Sequence, residues 1–317
     1  MYFPYFRGKQ YELICLRTTA GLLKSGRIHP IVEPVHDLWA QCDKMLQALF
    51  DYGIGGTLVV NPTIGDLAES PRAVLDYAHT QDMLIDGRHW LGYIIRDEQG
   101  VELLKHHINE FPQARWQIIH SSAGLPEKII ATESKALPQI VSHVFHEREC
   151  GRGYVKAFKV CPDRVVLADS FPKQSKNSDY QMHTVELFSD VLEFYKSDGY
   201  TGFSDYLTIG DLYSEGGGNA KFMTVAIHIT LRKSADNSSI YIQHFTSQDN
   251  QGSIMEKFQR ALDNLISDYH ATDSLIYHSK AMDEFEKLHI LQHFPGLGKI
   301  KQLSMQHHLE LMDSILL

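Results

Sequence analysis

The chain reads as an α/β protein of the (β/α)8 TIM-barrel type, and three observations predict this. Short apolar runs recur eight times, helix-like segments separate most of them, and each run is broken, at or near its end, by a charged, amide or imidazole side chain. Strands covered by helices on both faces are continuous Val/Ile/Leu runs, because neither face meets water. In a closed barrel of such strands the C-terminal ends share one mouth, where active sites of this architecture sit. The pattern indicates where chemistry would occur and leaves the substrate open.

The eight runs are IHPIVE (28–33), TLVVN (57–61), LGYIIR (91–96), WQIIH (116–120), IVSHVFH (140–146), RVVLAD (164–169), GFSDYLT (202–208) and TVAIHIT (224–230). Before the first, residues 10–24 place Leu13, Ile14, Leu16, Leu22 and Leu23 roughly on one helical side, with Gly26 as a stop. Residues 37–52 form an amphipathic helix with Leu38, Met45, Leu46, Leu49 and Phe50 as its apolar set, stopped by Gly53. Ser70-Pro71 is a helix start, proline being tolerated where the first N–H has no partner to lose. A helix over 100–111 completes four βα units in about a hundred residues, a density that favours a parallel sheet.

The second half is less regular. Helices are expected within 126–137, briefly within 153–160, and over 184–197. The polar stretch SFPKQSKNSDYQMH after Asp169 is too long for a tight turn and reads as a mobile or functional loop, as does residues 214–221 with its Gly216-Gly217-Gly218 run. The eighth run is joined to IYIQHFTS (240–247) through the turn-rich KSADNSS, which predicts an antiparallel hairpin over 224–247. Helices near 253–268, 280–292 and 302–313 make a C-terminal helical addition over 253–317. With no low-complexity linker, residues 1–317 read as a single barrel-like domain.

Composition excludes several classes. A net charge of −9 argues against general nucleic-acid binding, which needs a basic surface. No run approaches the ~18–20 apolar residues of a membrane span. The N-terminus is interrupted by Arg7, Lys9, Glu12 and Arg17, unlike a signal peptide. Cys15, Cys42, Cys150 and Cys161 are widely spaced without a CxxC pair, which fits reduced thiols in a cytoplasmic protein. The aromatic and basic cluster Tyr2, Phe3, Tyr5, Phe6, Arg7 and Lys9, broken by Pro4, suggests a plug at the barrel bottom or a contact within a homo-oligomer.

Several stretches carry a resemblance: MYFPYFRGKQYELICLR, IVEPV, FPKQSKNSDY, GFSDYLTIGDLYSEGG, VAIHITL and HFPGLGKIKQLSMQHHLELM, in order over almost the whole chain. Together they resemble the beta-protein family, named after a phage protein and widespread in bacteria. The resemblance implies a role in phage exclusion or defence and supplies no reaction. Where relatives tend to read Gln-Arg-Asn-Ala-Asp-Tyr, this chain has Lys176 in place of the arginine, a point charge instead of a bidentate fork.

The strand-end residues are the candidates for chemistry. Glu33, Asp169 and Asp205 would converge on one mouth, and paired carboxylates serve as acid and base or as acid and nucleophile. Asn61, Arg96, His120, His146 and His228 would line the pocket, with Lys173 and Lys176 joining Arg96 as anion contacts. A divalent metal on these acids and imidazoles is an open option, although HxH and HExxH spacings are missing. SEGGGNAK lacks the closing GK[ST] of a P-loop, and no nucleophile elbow or dinucleotide fingerprint occurs. His307-His308 diverge by ~100° on a helix and cannot readily share one ion.

The expectation is a hydrolase-type barrel acting on a polar, phosphorylated or nucleotide-like small substrate. Two rivals stand beside it: a non-catalytic barrel that recognises a phage or defence-system protein, and a carbohydrate-processing barrel using two of the acids.

Overall fold

The computed structural model of the chain describes residues 1–81, 87–122, 130–131, 136–161, 163–213, 224–234 and 238–317. Two compact units emerge. One comprises Met1–Leu13, Gly26–Asp169 and Phe194–Asp205; the other comprises Ile14–Ser25, Ser170–Glu193 and Tyr206–Leu317.

The first unit is an eight-stranded parallel barrel. Its strands are β1 (Tyr5–Phe6), β2 (Ile31–Val32), β3 (Gly56–Val59), β4 (His89–Ile95), β5 (Arg115–His120), β6 (Ile140–His146), β7 (Asp163–Ala168) and β9 (Gly202–Asp205), in that order around the sheet. Tyr2 bridges to Ile28 on one side and to Phe203 on the other, which joins the first strand to the last. Phe3 N donates to Phe203 O at 2.8 Å and Phe203 N to Met1 O at 3.1 Å. Closure abolishes the sheet edges.

Helices α2 (Trp39–Asp51), α3 (Pro71–His79), α4 (Glu98–Glu110) and α5 (Arg152–Ala157) follow β2, β3, β4 and β6. Cys42, Met45, Leu46 and Leu49 form the buried stripe of α2. Pro71 opens α3 as expected, while Ser70 makes no side-chain cap bond. Asp97 caps α4, accepting from Gly100 N at 2.8 Å. The helix expected within 126–137 falls largely outside the described residues.

The eighth barrel strand differs from expectation. The aromatic N-terminus, expected as a plug or subunit contact, supplies it as β1. Residues 224–230 lie instead in β10 (Ala226–Arg232), which pairs antiparallel with β11 (Ile240–Thr246). The first four residues of β10 alternate, with Ile227 and Ile229 fully buried between half-buried Ala226 and His228, before Thr230 and Leu231 are both buried. Its antiparallel partner is β11, whereas every barrel strand pairs parallel.

The second unit is built on this hairpin. β8 (Val185–Ser189) adds to it beside β11, so the helix expected over 184–197 is a strand followed by the short α6 (Val191–Phe194). Pairing with β11 outweighs the local helical pattern. Val225, Ile227, Ile229 and Phe245 pack against Phe258, Leu262 and Leu265 of α7 (Ile254–Tyr269), Met282 and Phe285 of α8 (Lys280–Ile290), and Ile300 and Leu303 of α9 (Leu297–Leu316). Ser253 and Glu256 form a reciprocal capping box at the start of α7. No helix of the described residues is long and apolar enough to cross a membrane.

Candidate functional site

Register decides which strand-end residues face the barrel interior. Residues paired across parallel strands share a face, and successive residues alternate. Tyr5, Ile31, Thr57 and Trp90 pair in one row; Gly92, Gln117 and Ser142 pair in the next; Val144 pairs with Val165. The opposite face meets the helices. Tyr93 lies beside His107 of α4, Trp116 beside Phe111, and His120 is bonded to Tyr154 of α5. Alternation therefore carries Arg7, Glu33, Asn61, Arg96, His146 and Asp169 inward at the C-terminal ends of six strands. It carries His120 and Asp205 outward.

Glu33 is fully buried and its carboxylate is saturated. Tyr5 Oη donates to Oε2 at 2.8 Å, Arg7 Nη1 contacts Oε2 at 2.5 Å, and Thr63 donates to Oε1 from N at 2.8 Å and from Oγ1 at 3.0 Å. Gly8 brings the two strand ends this close. It has φ +65°, and a Cβ there would lie 2.9 Å from Glu33 O and from Pro34 Cα. The buried ion pair fixes Arg7, whose side chain is 11% exposed, at the barrel mouth. The sequence offered Glu33 as a catalytic acid and Arg7 as part of the N-terminal aromatic and basic cluster. The structure makes Arg7 and Glu33 partners.

Asp169 and Asp205 have partners as well. Arg148 Nη1 donates to Asp169 Oδ2 at 3.0 Å, and Tyr2 Oη donates to Asp205 Oδ1 at 2.8 Å. Asp205 pairs in register with Ala168, the face opposite Asp169. Each of the three acids thus has its own partner, and Asp205 leaves the interior set while Glu33 and Asp169 stay in it. Asn61 spends its amide on the backbone of β4, donating to Ile94 O and accepting from Ile94 N, both at 2.8 Å. Arg96 is exposed at the end of β4.

The imidazoles separate in the same way. His120 sits among Phe145, Tyr154 and Phe158, with Nδ1 2.8 Å from Tyr154 Oη and Nε2 3.0 Å from His143 Nδ1. Burial, then the neighbouring His143, holds it well below the usual imidazole range. It is a packing residue of the strand–helix layer. His146 is buried at the inward end of β6. His228 belongs to β10 of the second unit, not to a barrel strand.

Lys173 and Lys176 are exposed in the second unit. The loop they occupy, expected to be mobile, carries a hydrogen-bonded turn over Asn177–Met182. Ser175 Oγ donates to Asp179 at 2.8 Å and Gln174 N to the buried Tyr180 Oη at 3.1 Å. Residues 214–221, the other expected loop, lie outside the described residues. Among the described residues no group of three or more His, Cys, Asp or Glu side chains is arranged to hold a metal ion.

Sequence reasoning missed Tyr5, Thr63 and Arg148. Tyr5 and Arg7 alternate on one short strand, a signal hidden by Pro4; nothing local announces that Thr63 or Arg148 closes on an acid. Comparison of the chain with family models, curated proteins and solved structures finds no match.

Proposed function

We propose that the barrel is a hydrolase-type enzyme acting on a small, polar, phosphorylated or nucleotide-like substrate, in the phage-exclusion or defence setting that the beta-protein resemblance implies. One observation carries the reading: polar residues from six strands close the inward face of one barrel end, the end where this architecture places its chemistry. In this reading Arg7 and Arg96 hold the anion, and Glu33 positions Arg7. Asp169, with His146 on the neighbouring strand, acts as acid and base. The reading rests on position and on analogy between barrels.

The test is turnover of phosphomonoesters, phosphodiesters and nucleotides by the full chain, with and without magnesium or manganese. Asp169→Asn should cut turnover by roughly 10²–10⁴, and Arg96→Ala should raise KM with little change in kcat. Absence of turnover and of binding across the panel would overturn the reading.

A second reading is favoured by the pairing of all three acids, Glu33 with Arg7, Asp169 with Arg148 and Asp205 with Tyr2. Locked carboxylates suit a non-catalytic barrel that recognises a phage or defence-system protein. Under that reading Asp169→Asn leaves biological protection intact.

A further inference from the structure

The second unit carries a chain of three titratable side chains that the barrel reading does not use. Glu186 on β8, His244 on β11 and His228 on β10 line up across the three-stranded sheet. His244 Nε2 lies 3.3 Å from Glu186 Oε2, and His244 Nδ1 lies 2.7 Å from His228 Nδ1. His228 and His244 are direct cross-strand partners.

The proton positions follow from the partners. A carboxylate only accepts, so His244 carries its proton on Nε2. Burial holds His244 at about 4, so it is neutral near pH 7 and its Nδ1 is a lone pair. His228 must then donate from Nδ1. Burial, then His244 and Lys301, keeps His228 well below the usual imidazole range, so it too is neutral. Its remaining nitrogen, Nε2, is left as a lone pair, with no hydrogen-bond partner among the described residues. The residue is half-buried. Tyr180 and Phe171, both buried, wall the ring at centroid distances of 4.8 and 5.1 Å.

We propose that this relay makes His228 Nε2 a nucleophile that accepts a phosphoryl group, a functional site within the second unit. A neutral imidazole at neutral pH is the reactive form, and a neighbouring base that accepts the ring's other proton activates it. Lys301 supplies a positive field that offsets the anionic donor. In the step, the Nε2 lone pair attacks phosphorus as the bond from phosphorus to its leaving group breaks, and the leaving group departs with that electron pair. The Nδ1 proton of His228 passes to His244 Nδ1, and the Nε2 proton of His244 passes to Glu186. The co-reactant is an activated phosphoryl donor, of the phosphoramidate or acyl-phosphate class.

The probe is potassium phosphoramidate with the full chain at pH 7, read by peptide mass spectrometry as an acid-labile phosphate adduct. His228 should be modified about a hundredfold or more faster than the exposed His270 and His278, the lower end of what a positioned base contributes. His228→Gln should remove the fast adduct. Glu186→Gln, an isosteric change at a partly exposed strand residue, should slow it about a hundredfold while the circular dichroism spectrum is unchanged. Equal labelling of His228 and the exposed histidines, or a rate indifferent to Glu186→Gln, overturns the proposal. Neither outcome touches the barrel reading, whose assay is turnover at Asp169.

Discussion

Arg7 Nη1 and Glu33 Oε2 meet at 2.5 Å where two adjacent barrel strands end, with Glu33 fully shielded from solvent. Removing one member of such a pair leaves the other's charge buried, which costs ~3–5 kcal/mol. Glu33→Gln should therefore lower the unfolding free energy, read from urea denaturation, by an amount in that range. Combining it with Arg7→Met should recover much of the loss, because a neutral pair of similar volume carries no desolvation penalty. A double-mutant cycle with purely additive losses would show that the pair is not coupled.

The Asp169–Arg148 pair should behave differently. Arg148 is 66% exposed, and such pairs contribute at most about 1 kcal/mol. Asp169→Asn should leave the melting temperature nearly unchanged. If Asp169 is the acid–base group, turnover should fall by roughly 10²–10⁴. A clear drop in melting temperature with activity retained would mark Asp169 as scaffold.

Buried imidazoles make stability sensitive to acid. His29 is held at about 3 by burial, then by His89, and His143 at about 3 by burial. Both take up a proton on unfolding below ~6.5, the ordinary imidazole value. Their contribution is complete above that pH and is lost as pH falls toward 3, at up to ~1.4 kcal/mol per pH unit for each. Denaturant unfolding at pH 7, 5 and 4 should show the decline, and His143→Phe should flatten it. A midpoint constant from pH 7 to 4 would refute the assignment.

Barrel closure should depend on Gly202. A Cβ there would lie 2.7 Å from Phe3 Cε2 and 2.9 Å from Met1 O, the backbone group that accepts the closing bond from Phe203. Gly202→Ala should destabilise by ~1–3 kcal/mol, as overpacking does. Amide exchange at Phe203 and Phe3 should rise first.

Asn61 tests whether a strand-end amide is ligand or stitch. Asn61→Asp keeps the acceptor for Ile94 N but cannot donate to Ile94 O, and a loss of ~1–3 kcal/mol is expected for the unmet backbone group. Thermal unfolding reads this directly. An undestabilised Asn61→Asp would return the residue to the pocket.

The sequence by itself determined the barrel, seven of its strands and the helices over 39–51 and 98–110, because apolar runs and amphipathic stripes are local and record burial directly. It also located the strand ends where polar groups gather, and the hairpin of β10 and β11. Tertiary structure decided the rest. The eighth strand is two residues of ladder in an aromatic N-terminus, recognisable only when Tyr2 meets Phe203 across 201 positions of chain. Residues 185–189 are a strand because β11 offers them a partner. Which strand-end residue faces inward depends on one-residue register, since alternation inverts with a single step; this separates Glu33 and Asp169 from Asp205 and His120. Whether an acid is available or already bonded depends on residues distant in the chain, as Thr63 and Arg7 are from Glu33, and no local pattern encodes that meeting.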